Sequence, residues 1–237
     1  MKKLFLFLFL LTAFTFISKS QTVTAIVTTN GISPIPAFTL SEPAGLIFVD
    51  TKLGKHFIFA PDITFSLKDG RLWFSDLWLK YELNLDLAKR WIAIVGIDCP
   101  AYIGQSTIDN NGKKISKAEN YPTGQFCIKH RIGEKNTVIF DYWYLQAVDM
   151  TTGIKGSYIS LSFNLVKELK QLSFISNPNV FYLNYSDGTK GFVGSINAIL
   201  CHNKSGFFIS TQGMTPITTD KIKAAWNISL GITKKLF

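Results

Sequence analysis

The chain has few cysteines, and they cannot build a disulfide framework. Cys99, Cys127 and Cys201 are the three cysteines among 237 residues, and an odd number leaves at least one thiol unpaired. An oxidising periplasm would permit one pair, although apolar packing is the role that we expect for each side chain. Which two would pair, if any, stays open at this stage.

Charged residues are also scarce, at 17% against roughly 25% in soluble domains. The formal net charge is +9, but the lysines and arginines are scattered singly along the chain. A nucleic-acid-binding protein usually clusters them within a recognisable module. We therefore expect no nucleic-acid partner.

Catalytic and metal-binding patterns are missing as well. The chain contains no Gly-x-Ser-x-Gly or His-Glu-x-x-His pattern, and no metal-ligand spacing links the cysteines to a histidine. His56 precedes Asp62 by six residues, roughly 20 Å along a strand, which is too far for a direct hydrogen bond. We expect no metal, no cofactor and no catalytic activity. An outer-membrane lipid hydrolase is the less favoured alternative.

Long apolar runs are absent after the first segment. Lys2 and Lys3 precede an apolar run over residues 4–17, which is shorter than the roughly 20 residues of a membrane-spanning helix. This pattern is typical of a secretory signal peptide, so we predict that residues 1–20 are removed before Gln21. Residues 21–237 are predicted to form a single β-barrel domain.

Alternation of apolar and polar residues fills the rest of the chain. Residues 55–68 and 71–85 alternate on either side of the turn Asp69-Gly70, a strong hairpin signal. Several such segments exceed ten residues, as tilted membrane strands do. The pattern predicts an all-β, antiparallel up-and-down transmembrane β-barrel of about twelve strands, with ten to fourteen possible. The two longest connections, 101–119 and 213–225, would then lie outside the cell.

The polar face of these strands predicts a lumen lined by charges of both signs. A narrow passive channel for small solutes, or a closed structural barrel, is the expected role. The lumen itself could be filled by side chains or by residues 22–42. Lys129 and Arg131 would favour anions if the lumen is open. The predicted lumen-lining residues are His56, Asp62, Lys68, Asp76, Lys80, Glu82, Lys129, Arg131 and Asp141.

Large aromatic residues lie near the predicted strand ends, where outer-membrane barrels carry interface aromatics. These predicted interface aromatics are Trp73, Tyr81, Tyr142, Tyr144, Tyr185 and Trp226. A secreted soluble β-barrel, with its apolar face inward, is the non-membrane alternative.

Several segments also resemble a group of uncharacterised Gram-negative outer-membrane β-barrel proteins. The resemblance lies in residues 31–40 with Pro43-Ala44, in 65–70, in Asn177-Pro178 with 180–183, and in 226–230. It implies location and fold, with outer-membrane lipid as surroundings. Trp226 and the terminal Phe237 are similar to the signal that such barrels present to the barrel-assembly machinery. Leu236 departs from that pattern.

A receptor or adhesion barrel that acts through external loops is the alternative function. Its best candidate is the segment 101–120, with the polar, basic tip Asn110-Asn111-Gly112-Lys113-Lys114. Loops carry binding residues more often than barrel walls do.

Overall fold

A computed structural model describes residues 21–31, 40, 42–98, 102–108, 114–148, 155–219 and 221–236. The predicted signal peptide and the terminal Phe237 lie outside these residues, so both stay predictions. The described residues form fourteen strands, β1 Gln21–Thr28, β2 Ala44–Leu53, β3 Phe57–Ser66, β4 Leu72–Asn84, β5 Trp91–Asp98, β6 Tyr102–Ile108, β7 Lys114–Asn120, β8 Thr123–Ile132, β9 Asn136–Gln146, β10 Lys155–Leu169, β11 Leu172–Tyr185, β12 Lys190–His202, β13 Phe207–Pro216 and β14 Ala225–Lys235.

Twelve of the described strands close into one antiparallel barrel. Each pairs with its neighbour along the chain, except that β5 pairs with β8 across the inserted strands β6 and β7. The ring closes where β1 pairs with β14, with Thr22 opposite Lys235. The predicted antiparallel barrel of about twelve strands is therefore confirmed. Within the described residues, the structure has no helix long and apolar enough to cross a bilayer.

Strands β6 and β7 form a hairpin that is not part of the closed ring. They pair with each other along their whole length, and the hairpin joins the barrel only where Phe74 and Ser75 of β4 pair with Ile103 and Tyr102. The sequence predicted a loop here because the segment lacks a clean alternation.

The alternation of the sequence decides which side chains point outward. On β4, Leu77 and Leu79 are exposed on the outer face, whereas Asp76 and Trp78 are buried inside. Successive residues of a strand point to opposite faces, so one period-two pattern fixes both. The barrel strands are eight to fifteen residues long, and the longer ones match a tilted membrane strand.

The two ends of the barrel differ in their connections. One end, called the proximal end here, holds the start of β1 and the end of β14 and carries the short turns 54–56, 133–135, 170–171 and 203–206. The connection 85–90 is also proximal. The distal end carries the longer connections 29–43, 99–122, 147–154 and 217–224, together with the short turns 67–71 and 186–189. Gly133 and Gly206 adopt φ values of 70° and 73°, a backbone conformation that side chains disfavour, so the proximal turns can be tight.

Residues 22–42 do not fill the lumen as one segment. Residues 21–28 form β1 in the barrel wall, where Ala25 lies opposite Ile232 of β14 and Ile47 of β2. The hydrogen-bonding groups of this strand are used by its neighbours. Residues 32–39 and 41 lie outside the described residues.

Candidate functional site: the barrel interior

On β10 and β11, burial of the inward-facing side chains falls from the distal to the proximal end. On β10, Tyr158 and Ser160 are 4% and 5% exposed, Ser162 and Asn164 are half-buried, and Glu168 is exposed. The inward residues of β11 follow the same order from Leu183 down to its first turn. On this side of the barrel the interior is therefore packed toward the distal end and accessible to water toward the proximal end, whereas Ile92 and Ile94 of β5 are buried with Cys127 nearer the proximal end.

The distal half is closed by one apolar cluster, called the distal cluster here. Tyr121 and Ile222 enter it from the connections rather than from the wall. The loops therefore help to close the barrel. The members of the distal cluster are Tyr121, Leu145, Tyr158, Phe181, Leu183, Tyr185, Val193, Met214 and Ile222.

Tyr185 corrects one prediction. Tyr185 was predicted to be an interface aromatic on the outer face, but its side chain is buried inside the distal cluster. Tyr185 shares the inward face of β11 with Phe181 and Leu183. An aromatic side chain can face inward at this end of β11 because the distal interior is apolar.

A row of aromatic rings runs across the interior from Trp78 into the distal cluster. The ring centroids of Trp78 and Trp143 are 5.5 Å apart, those of Trp143 and Tyr158 are 5.2 Å apart, and those of Tyr158 and Phe181 are 5.3 Å apart. These separations are typical of favourable aromatic pairs. Trp78 and Trp143 belong to β4 and β9, which do not pair, so the row joins separate parts of the wall.

Each of these two tryptophans donates its indole hydrogen to an aspartate two residues earlier in the chain. Trp78 Nε1 lies 3.3 Å from Asp76 Oδ2, and Trp143 Nε1 lies 2.8 Å from Asp141 Oδ2. Gln125 donates to both oxygens of Asp141, at 2.9 Å and 3.1 Å. The Asp-x-Trp pattern thus occurs twice and places a ring beside a buried carboxylate each time.

Carboxylates outnumber ammonium groups in this part of the interior. Asp76 interacts with both Asp62 and Asp98, and the Leu77 backbone amide donates to Asp98 Oδ1 over 2.9 Å. Lys80 Nζ lies 5.0 Å from the Trp78 ring centroid. Lys80 is also within electrostatic range of Asp50, Asp62, Asp141 and Lys129.

The opposite part of the wall carries an uncharged row of amides, called the amide row here. Its members follow one another across paired strands because Asn177, Asn197, Gln212 and Asn227 are register partners in turn. Asn177 donates to Asn164 over 3.0 Å, and Asn227 donates to Gln212 over 3.4 Å. The amide row therefore consists of Asn164, Asn177, Asn197, Gln212 and Asn227.

The nine predicted lumen residues fall into three groups. Five belong to the inward face of a barrel strand, whereas two others belong to turns. His56 lies in the turn between β2 and β3, where its Nδ1 donates to the Glu82 carbonyl oxygen over 2.9 Å, and Lys68 lies exposed in the turn after β3. The inward five are Asp62, Asp76, Lys80, Lys129 and Asp141.

The two remaining predicted lumen residues lie near the proximal opening. Glu82 is half-buried on β4, and Arg131 is exposed one residue before the end of β8. Arg131 therefore lies on the same inward face of β8 as Lys129, two residues closer to the proximal opening. Lys129 lies within electrostatic range of both Asp141 and Lys80, and the expected anion preference stays a prediction.

The predicted interface aromatics other than Tyr185 are placed on the outer side of the wall. Tyr142, Tyr144 and Trp226 are exposed. Trp73 lies below the guanidinium of Arg71, at 5.4 Å from the ring centroid. The Tyr81 ring packs against Phe57 at 4.9 Å.

Sequence reasoning missed several residues of the interior and its surroundings. Asp98 was not among the predicted lumen residues because β5 is apolar on both faces. Ile92 and Ile94 pack inside, and Val95 is exposed outside. The amide row was missed because amides on a polar face carry no periodic signal of their own. A proximal ring pair, Trp91 with His130 at 4.1 Å, is visible only from the pairing of β5 with β8.

Metal binding finds no support in the described part of the chain. Within it, no group of three or more histidine, cysteine, aspartate or glutamate side chains is arranged to hold a metal ion. Cys127 is buried and free, Cys201 is half-buried and free, and Cys99 lies outside the described residues.

Comparison with known proteins supports the fold. No family model and no curated protein matches the chain. An outer membrane channel from Pseudomonas putida F1 shares 9% identity and a TM-score of 0.56, over 92% of this chain and 95% of that one. The β domain of the Bordetella autotransporter BrkA has 7% identity and a TM-score of 0.45, over 91% and 98% of the two chains. The OmpT outer membrane protein of Vibrio cholerae has 7% identity and a TM-score of 0.44, over 92% and 97%. The chain thus has the fold of an outer-membrane β-barrel.

Proposed function

We propose that the protein is a narrow, passive channel of a Gram-negative outer membrane, closed at its distal end in this conformation and selective for small cations. The observation that carries the proposal is the burial gradient of the interior. A water-accessible, charged proximal half meets a distal half closed by aromatic packing. Such an interior needs only a rearrangement at one end to conduct.

The outer face supports a membrane location. Exposed leucine, isoleucine, valine and phenylalanine side chains lie on every barrel strand from β2 to β14. A continuous apolar surface of this size is costly in water but favourable in lipid. The proximal end would face the periplasm, since short turns characterise that side. Residues 1–20 would be removed, which intact-mass analysis of the mature protein would check.

Cation selectivity follows from the charges that line the path. Asp50 and Glu82 lie toward the proximal opening and supply these charges, whereas the deeper Asp76 and Asp98 are buried in the wall. Two lysines, Lys80 and Lys129, oppose them on the same part of the wall. Rings of carboxylates favour cations in channels.

The movement that opens the channel is assigned to connections between strands. Tyr121 and Ile222 enter the distal cluster from segments between strands, so their movement breaks only the few hydrogen bonds that hold these segments to the wall, such as the bond from the Gln146 amide to the Pro122 carbonyl oxygen at 3.2 Å. Segments that order and disorder in this way are a common switching element. The gate is therefore assigned to the segments 121–122 and 217–224.

A catalytic role has less support. His56 is bonded to a backbone carbonyl, and His130 stacks on Trp91 at the outer face. His202 Nδ1 accepts the Ser205 backbone amide over 3.3 Å within one turn. None of these three described histidines has the base, nucleophile and orienting carboxylate of a hydrolase, so we propose that the protein is not an enzyme.

Single-channel recording in a planar bilayer tests the channel. The comparison is between the wild-type barrel and the double variant Tyr121→Ala, Ile222→Ala. The matched control, Tyr182→Ala with Ile196→Ala, removes similar side chains from the outer face. We expect rare openings in the wild type and in the control, and frequent openings in the distal-cluster variant. Silence of all three, with an unchanged shift on boiling in gel electrophoresis, would show a closed structural barrel.

A surface-binding role is the second candidate, because the β6–β7 hairpin extends from the barrel. It pairs with the wall at two residues of β4 only. Replacement of residues 102–120 by a short glycine-serine linker should abolish settling of cells that express the protein if the hairpin mediates adhesion. Unchanged settling would remove this candidate, and channel recordings of the same variant show whether the wall is intact.

A further inference from the structure

An apolar groove lies on the outer face of β12, β13 and β14, toward the distal end. Its volume is about 570 Å³. Six of its nine lining residues point away from the lumen and the other three, Ser195, Met214 and Ala225, are the inward positions between them, so we expect the groove to face the membrane. The outward-facing residues that line the groove are Gly194, Ile196, Gly213, Thr215, Ala224 and Trp226.

Two glycines make the groove. Gly213 lies under the Trp226 ring, where a Cβ atom would come within 2.8 Å of the indole. Gly194 could carry a side chain without a clash, because a Cβ atom there would make ordinary contacts with Ile217 Cδ1 at 3.6 Å and Thr215 Cγ2 at 3.9 Å. Packing within the barrel therefore explains the first glycine but not the second. Gly194 leaves room for something else.

Three lysines lie beside the distal end of the groove. Lys190 and Lys223 are exposed, and Lys223 immediately precedes the groove residue Ala224. Lys221 Nζ donates to the Asp187 carbonyl oxygen over 2.6 Å. The Asp187 carboxylate is occupied by Thr189, which donates from its backbone amide at 2.8 Å and from its hydroxyl at 3.0 Å. The lysines thus keep their charge available at the membrane surface.

We propose that this groove binds one phosphorylated glycolipid of the outer leaflet, with an acyl chain over Gly194 and the phosphates at Lys190, Lys221 and Lys223. Apolar walls suit a hydrocarbon chain, and clustered lysines at the headgroup level suit anionic lipid. A second copy of the chain fits less well, because a two-fold contact would bring the same lysines together. The proposal rests on the outer-membrane location with the distal end outside.

Native mass spectrometry of the folded protein in detergent, with diphosphoryl lipid A as the probe, tests the proposal. Gly194→Leu fills the groove without a backbone clash. Its matched control is Gly124→Leu, an exposed glycine near the distal end of β8 with nothing within 4 Å of the added Cβ. A second variant changes Lys190, Lys221 and Lys223 to glutamine, and its control changes the proximal Lys167, Lys234 and Lys235.

We expect one tightly bound lipid A in the wild type and in both controls, and at least a tenfold weaker binding in Gly194→Leu and in the distal lysine variant. Equal binding in all variants would overturn the proposal, and so would an equal loss in the controls. Dimers that disappear with Gly194→Leu while lipid binding persists would show a second copy in the groove instead. The boiling shift and channel recordings of the same samples report on the fold and on the channel proposal separately.

Discussion

Trp143 donates its indole hydrogen to Asp141 over 2.8 Å, from the next inward position of the same strand. The bond satisfies one oxygen of a carboxylate that lies inside the barrel, and it fixes a ring that touches both Trp78 and Tyr158. One hydrogen bond therefore connects the charged part of the interior to the aromatic row that closes it.

Trp143→Phe should destabilise the barrel by removing that donor while keeping most of the ring. Hydrogen bonds to charged groups contribute about 1.5–3 kcal/mol, and Gln125 still bonds both Asp141 oxygens. We therefore expect a loss of about 1–2 kcal/mol in the free energy of unfolding, measured by urea titration in lipid vesicles. Tyr142→Phe, on the outer face of the same strand, should change little. Equal losses in the two variants would contradict the role of the bond.

Leu183→Ala should cost far more than Leu161→Ala. Leu183 is fully buried in the distal cluster, whereas Leu161 is 46% exposed on the outer face. A cavity from a buried leucine costs about 2–5 kcal/mol. Lipid chains can refill the space on the outer face, because they are as apolar as the lost side chain. Unfolding midpoints in vesicles measure both, and similar values would mean that the distal half is not packed.

Ser162→Cys should react with a charged methanethiosulfonate reagent added from the proximal side, and Ser160→Cys should not. Both serines point inward on β10, but Ser160 is buried and Ser162 is half-buried. A background in which Cys99, Cys127 and Cys201 are alanine makes each reading unambiguous. Mass spectrometry after timed labelling gives the rates. Fast labelling of Ser160→Cys from the distal side would disprove the closure.

Asp50→Asn with Glu82→Gln should weaken the preference for cations. These side chains lie toward the proximal opening, where a unit charge changes the local ion concentration by about twofold or more at contact distances in water. The reversal potential in a potassium chloride gradient should move toward zero, and Lys129→Gln should move it the other way. Glu134→Gln, in an exposed proximal turn, is the control. An unchanged potential in the double variant would remove these carboxylates from the ion path.

The faces of the strands could be predicted from the sequence, because the direction of a side chain depends only on its parity within one extended segment. The inward placement of Asp62, Asp76, Lys80 and Asp141 could be read in this way. Alternation no longer predicts the direction of a side chain beyond the end of a strand. His56 and Lys68 lie just beyond strand ends, so the prediction that they line the lumen was wrong.

Which part of the interior is closed can be seen only in the tertiary structure. Tyr185 obeys the inward parity of β11, yet only the closed ring shows that its surroundings are the distal cluster. Trp78 and Trp143 are 65 positions apart on strands that do not pair, and the curvature of the ring brings them together. Tyr121 and Ile222 carry no strand pattern. Contacts of this kind depend on how the barrel closes and on how its connections fold back, and neither is encoded by local alternation.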